Sequence, residues 1–121
     1  NRSGLQLGEA ATVLVFSKKE DAELSITGAS VNCEGVAATR PDERGQSLFL
    51  ALSKSVSEKS QPPVVVAHGT ATVLNDATED YVFDALYSEP PKVTGIKWCV
   101  GHTRGVSAAL DLIAGSSILI H

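Results

Sequence analysis

A mostly parallel α/β sheet covered by helices is the architecture this sequence predicts, and three features predict it. Two short β-branched runs, Val64-Val65-Val66 and Val93-Thr94-Gly95-Ile96, read as buried strands. A stretch with helical spacing lies between them, the succession expected of two parallel strands joined by a crossover. His68 follows the first run and His102 the second. They lie 34 residues apart in the chain, yet two parallel strands would bring both to one edge of one sheet, where open α/β folds collect their chemistry.

Each element has its own signal. Residues 10–16 (AATVLVF) are apolar and β-branched, and residues 24–33 (LSITGASVNC) partly alternate, so both are expected as strands with a charged turn at residues 18–21 between them. Residues 40–45 (RPDERG) are a loop by their proline, glycine and charge. From Gln46, Leu48, Leu52 and Val56 recur every fourth position with Phe49 beside them, an amphipathic helix that ends before Pro62-Pro63. Over 76–86, Ala77, Tyr81, Val82, Ala85 and Leu86 share one stripe. Asp76 and Glu79 have capping-box spacing at its start, and Pro90-Pro91 ends it. The second strand is expected to end at Lys97. A last helix from near Thr103 carries Val106, Ala109, Leu110, Ile113 and Ala114 on one face and Ala108, Leu112 and Ile118 on much of the other. A helix apolar nearly all round is surrounded by protein, and this chain alone offers it too few neighbours.

Composition narrows the function. At 121 residues the chain is one domain at most. With 10 basic and 14 acidic residues, a net charge of −4 and no basic run, nothing favours nucleic acid as a partner. The polar opening Asn1-Arg2-Ser3 is unlike a signal peptide. The most apolar segment, 106–120, is short and carries Asp111, against the roughly 20 apolar residues a membrane span needs. Cys33 and Cys99 are far apart in no metal spacing, which points to reduced thiols and a cytoplasmic setting.

The run His68-Gly69-Thr70-Ala71-Thr72, then Asn75-Asp76 with Glu79, then Lys97 and Gly101-His102-Thr103, resembles the carboxyl-terminal half of the β-ketoacyl-(acyl carrier protein) synthases, thiolase-fold condensing enzymes of fatty acid and polyketide synthesis. The order and spacing of these motifs together carry the likeness. Gly4-Leu5-Gln6-Leu7-Gly8-Glu9-Ala10-Ala11 extends it upstream, being similar to the family's glycine–glutamate–alanine strand. The resemblance implies an incomplete thiolase-like fold: residues 1 to about 20 close the amino-terminal half, and about 21–121 supply most of the carboxyl-terminal half. The resemblance places the rest of the amino-terminal half and the final strands, with the family's Gly-Phe-Gly-Gly turn, outside these residues.

It also implies roles. In the family an acyl group is loaded onto a cysteine, a malonyl thioester loses carbon dioxide, and its carbanion attacks the acyl thioester. His68 and His102 match the two histidines that donate hydrogen bonds to the thioester oxygen as the enolate forms. A helix starting beside His102 would also favour a neutral imidazole there. Lys97 matches the family's lysine and Glu79 the glutamate with which it can pair, although a helix cap is an equal reading of Glu79. Thr70 and Thr72 match hydroxyls that face the pantetheine arm, or else are ordinary β-branched packing. No metal and no cofactor is implied, and His68, His102 and Glu79 fit no compact metal spacing. The implied partners are an acyl carrier protein and, in the complete enzyme, a second copy.

The family's nucleophilic cysteine belongs to the other half. Cys99, between Lys97 and His102, is expected as a buried inert thiol. Arg104 stands where the family has leucine, either to reach the carrier's phosphate or to face water. A non-catalytic partner subunit of the same fold, of the chain-length-factor kind, is the alternative reading.

Overall fold

The structure, a computed structural model, describes residues 4–18, 21–35, 42–56 and 61–121. Residues 19–20 of the expected turn, 40–41 of the expected loop and 57–60 after the first helix lie outside the described residues. Helix α1 (Gln46–Ser55) forms where the fourfold apolar spacing predicts it. Its start is held by Asp42, whose carboxylate accepts from the Arg44 and Gln46 amides at 3.1 Å each. The sheet consists of β1 (Val65–Val66) and β2 (Val93–Thr94), parallel and in register Val65↔Val93 and Val66↔Thr94. Helix α2 (Val73–Leu86) connects them and packs against α1. A single helical turn, α3 (Lys97–Val100), and a 3-10 turn (Arg104–Val106) lead into α4 (Ser107–Ile120), which packs on β1. Among the described residues, no helix is long and apolar enough to cross a membrane.

Several boundaries differ from expectation. Helix α2 starts at Val73, three residues early, because Thr72 in an extended conformation takes the N-cap position and its carbonyl accepts from the Asp76 amide at 3.0 Å. Asp76 is therefore inside the first turn, and the capping box with Glu79 does not form. Strand β2 ends at Thr94, so Lys97 begins α3 instead of closing a strand.

Residues 10–16 and 24–33 form no ladder, contrary to expectation. Thr12 and Leu14 are half-buried while Val13 and Val15 are 86% and 90% exposed, so the strand's alternation is present. What is missing is a neighbour: a strand is completed by the backbone groups beside it, and among the described residues none pairs with these. Helix α4 is likewise uncovered on one side. Leu112, Ile113, Ile118, Leu119 and Ile120 are exposed, and with Leu14, Phe16, Leu24 and Ile26 this helix lines an apolar cleft of about 990 Å³.

One crossing of two backbones positions the chemistry. Leu7 and His102 form an isolated parallel bridge, the His102 amide donating to the Gln6 carbonyl at 2.7 Å and the Gly8 amide to the His102 carbonyl at 3.2 Å. The approach leaves no room for side chains. A Cβ on Gly8 would meet the Val100 carbonyl, and one on Gly101 would lie 2.9 Å from Gly8 N and from Leu7 C and O. Gly101 also has φ 77°, which other residues adopt only with strain. Gly101→Ala is expected to lower the unfolding free energy by about 2 kcal/mol or more. An unchanged urea midpoint would show that the crossing yields easily.

Candidate active site

His68 stands two residues beyond β1, held through its backbone. Glu79, buried on α2, accepts from the His68 amide through Oε1 at 2.7 Å and from the Gly69 amide through Oε2 at 2.8 Å. Asn75 Nδ2, one helical turn earlier, also donates to Oε2, at 2.7 Å. Both carboxylate oxygens are thus engaged by N–H donors, and Glu79 fixes the loop that carries His68. Glu79→Gln replaces one acceptor by an NH2 group facing an amide donor, so unfolding data should show a loss of about 1–3 kcal/mol. A neutral result would mean that the loop holds itself.

His102 comes from the other side, from the Gly8–Gly101 crossing. The ring centroids of His68 and His102 lie 5.1 Å apart, the rings nearly perpendicular at 89°. The Arg104 amide donates to His102 Nδ1 at 2.9 Å. A neutral imidazole that accepts at Nδ1 carries its proton on Nε2, so His102 presents an Nε2–H donor. The expected helix start near Thr103 is realised as the 3-10 turn, with α4 following from Ser107. The contact to His102 is thus one directed N–H from that turn, not the end of a long helix dipole.

The pKa of His68 is lowered from its ordinary 6.5. Burial is the first cause and the Lys97 cation the second; His102 adds to them, while Glu79 and Asp111 oppose. His68 is exposed as a residue, yet packing around the ring removes enough water for burial to lead. The unfolded chain then protonates first as pH falls, so His68 costs stability below about 6.5 and nothing well above it. An NMR titration of His68 should have its midpoint below 6.5; one at or above that value would contradict the surroundings described.

Lys97 is buried and its Nζ lies 2.8 Å from Asp111 Oδ2 on α4. This corrects the expected pair with Glu79. Glu79 is saturated by amides, whereas the packing of α4 on β1 delivers a carboxylate to Lys97. Asp111 was missed as a site residue, although a lone acid in an otherwise apolar helix was the available signal, since a buried charge needs a partner. Asn75, a motif residue with no expected role, adds its side-chain amide to the Glu79 carboxylate. Thr70 and Thr72 pair through their hydroxyls at 2.9 Å. Thr70, Lys97, Trp98 and His102 help to line a cleft of about 360 Å³. Cys33 and Cys99 are both exposed thiols, so the buried state expected for Cys99 is not found; it lies on the outer side of the one-turn helix α3.

Chemically, this is a cleft lined by a directed imidazole N–H and by Lys97, with a second imidazole, kept neutral at pH 7, 5.1 Å from the first. The profile of the family described as "Beta-ketoacyl synthase, C-terminal domain" matches residues 24–121. The chain belongs to this family. Among β-ketoacyl synthase relatives, it is 27% identical to the chloroplastic 3-oxoacyl-[acyl-carrier-protein] synthase II of Arabidopsis thaliana, over 94% of this chain and 24% of the relative. It is 29% identical to the oxytetracycline polyketide putative β-ketoacyl synthase 1 of Streptomyces rimosus, over 99% of this chain and 32% of the relative. The chain thus spans between about a quarter and a third of these β-ketoacyl synthases. Among solved structures it is similar to the ishigamide ketosynthase/chain length factor, with a TM-score of 0.62 and 30% identity over 74% of this chain and 23% of that one. A second likeness is to AntDE:AntF, a type II polyketide synthase acyl-carrier protein in complex with its ketosynthase, with a TM-score of 0.54 and 25% identity over 72% and 24% of the two chains. The fold is that of the thiolase-like ketosynthases, represented here by a partial α/β unit.

Proposed function

We propose that these residues form the decarboxylation side of a β-ketoacyl-(acyl carrier protein) synthase, which joins a malonyl thioester to an enzyme-bound acyl group by decarboxylative Claisen condensation in fatty acid or polyketide synthesis. The observation that carries this reading is the approach of two imidazoles to 5.1 Å with the His102 proton held on Nε2. In the reaction, the acyl group passes from the carrier's thiol to a cysteine, and the carrier leaves as the free thiol. The malonyl thioester then enters. Its bond to the carboxylate breaks, carbon dioxide leaves, and the electron pair moves onto the thioester oxygen as an enolate. The enolate carbon attacks the acyl carbonyl, and the cysteine departs as thiolate.

His68 and His102 donate to the oxygen that gains charge, an interaction worth most in the transition state. Lys97 supplies a field that opposes protonation of His68, so that the ring donates a hydrogen bond without giving up a proton to the enolate. Glu79 positions His68 through the loop amides. Thr70 and Thr72 face the pantetheine arm. The nucleophile is a cysteine outside these residues, a reading that the exposure of both Cys33 and Cys99 supports, and the chain by itself is inactive. Residues 1 to about 20 close the first half of the fold and the remainder supplies most of the second. The partner is an acyl carrier protein, as in the solved carrier–ketosynthase complex; the complete protein is a homodimer, and two unpaired cysteines support a cytoplasmic setting.

Release of carbon dioxide from a malonyl-loaded carrier by the complete protein tests this reading. Absence of release with both histidines intact would favour a chain-length-factor-like partner subunit instead, a reading to which the ketosynthase/chain length factor neighbour lends support.

A further inference from the structure

Trp98 is the single tryptophan of the sequence, and it stands 76% exposed. Exposure alone would carry little, because isolated apolar side chains are common on protein surfaces. Its position carries more. Trp98 lies on the one-turn helix α3, next to the buried Lys97 and four residues before His102, and with both of them it lines the cleft of about 360 Å³.

The cleft is bounded from two directions. The loop after β1 brings Ala67, Gly69 and Thr70, and the segment from β2 into α3 brings Gly95, Lys97 and Trp98. These side chains sit at different depths. Lys97 is buried and held by Asp111, His102 is half-buried, and Trp98 is open to water. The inner end therefore holds the reacting group, and the indole stands at the rim, where whatever carries that group must pass. Thr70 is half-buried, and its hydroxyl pairs with that of Thr72 at 2.9 Å. When Thr72 is the donor of that pair, Thr70 keeps its own hydrogen to give to a ligand carbonyl.

A thioester tethered to a carrier protein arrives on a flexible arm in which amides alternate with short methylene runs. An aromatic face packs against both kinds of unit, and an indole combines a large apolar surface with a polar edge. We propose that Trp98 is a substrate-binding residue at the rim of the cleft, its indole packing against the amide-bearing arm of the incoming malonyl thioester. The inference rests on the proposed synthase reaction and adds a residue to it: the two histidines hold the oxygen that gains charge, and Trp98 holds the arm. The arm does not change as carbon dioxide leaves, so this contact binds ground state and transition state alike. Its loss is therefore expected in KM and not in kcat.

The experiment uses the complete protein and two soluble substrates, malonyl-pantetheine, which carries both amides of the arm, and malonyl-N-acetylcysteamine, which carries one. Trp98→Ala should raise KM for malonyl-pantetheine by about 10-fold or more with kcat within a few-fold of the parent, while Trp98→Phe, which keeps an aromatic face, should stay near the parent. The change with malonyl-N-acetylcysteamine should be smaller, because less arm is left to lose. Calorimetry with pantetheine alone, which has no reacting group, should show the same loss of affinity in Trp98→Ala. Trp98→Leu, apolar but without the flat face, should behave as the alanine variant does and carries the test if that variant does not fold. An unchanged KM for malonyl-pantetheine would overturn the proposal; a fall in unfolding stability alongside it would make Trp98 a packing residue of the complete protein. Equal KM changes with the long and the short substrate would also overturn it, by placing the indole against the malonyl end. Weaker pantetheine binding by Trp98→Ala, in a protein whose parent releases no carbon dioxide, would leave this inference standing and sink the synthase reading. Normal release with unaltered pantetheine affinity would do the reverse.

Discussion

Malonyl decarboxylation by the complete protein is expected to fall by about 10²–10³ when His102 is replaced by Ala, the loss seen when one preorganised donor to a developing oxyanion is removed. The ring of His102 accepts one hydrogen bond, at Nδ1, and stands against the ring of His68. The other nitrogen is left as a donor with fixed direction. His68→Ala should cost a similar factor for a different reason. Its ring is kept neutral by burial and by Lys97, so that near pH 7 it too offers an N–H. On the proposed reading, transfer of the acyl group to the cysteine needs neither donor to the malonyl oxygen. A single-turnover assay of cysteine acylation should therefore stay within a few-fold of the parent in both variants, while release of labelled carbon dioxide collapses. Equal loss of both steps would count against the assigned roles. So would a double variant whose loss is the product of the single losses, because two donors to one oxygen act as a unit and their effects do not multiply.

Asp111→Ala should be the most destabilising single change on the buried face of the site. The side chain of Lys97 is 5% exposed and that of Asp111 17%. Removing the carboxylate strands an ammonium group away from water, which costs about 3–5 kcal/mol for a fully buried pair. Because Asp111 retains some exposure, the lower end of that range is expected from urea unfolding of the complete protein. Replacing both partners together, as Lys97→Met with Asp111→Leu, should recover most of the loss, since two apolar side chains of similar volume avoid the desolvation of both charges. The recovery would be of stability only. With the cation gone, the pKa of His68 should rise toward its ordinary value, because the Lys97 charge is one of the forces holding it down. A loss below about 1 kcal/mol in Asp111→Ala would mean that water reaches the Lys97 ammonium group in the folded protein.

The two predictions differ in how far the sequence anticipated them. The histidine pair was legible because each member comes after a short β-branched run; parallel pairing brings those runs together, and the crossing of Leu7 with His102 then places the second ring. Register Val65↔Val93 is the structural form of that pattern. The pairing of Lys97 was misassigned. Glu79 and Asp111 are both acids at plausible distances along the chain, and the choice depends on which has free oxygens after folding. The amides of His68 and Gly69, together with Asn75, occupy Glu79, and no local spacing announces that. Helix starts were displaced for a related reason. Asp76 with Glu79 is a good capping pattern, but Thr72 reaches an extended conformation first and claims the N-cap.

Residues 10–16 and 24–33 illustrate the other limit. Their alternation is a property of the sequence and survives as alternating burial at Thr12, Val13, Leu14 and Val15. A ladder is a property of two segments, and Val31 at 97% exposure has no second segment over it among the described residues. By itself, then, the sequence determined the family, the helices with strong apolar periodicity, and the two strands after which the histidines come, because these rest on local pattern and fixed spacing. Only the tertiary structure decided which acid meets Lys97, which nitrogen of His102 holds the proton, and which apolar faces remain open. Those depend on close approach between segments distant in the chain, where one amide or one missing Cβ sets the outcome.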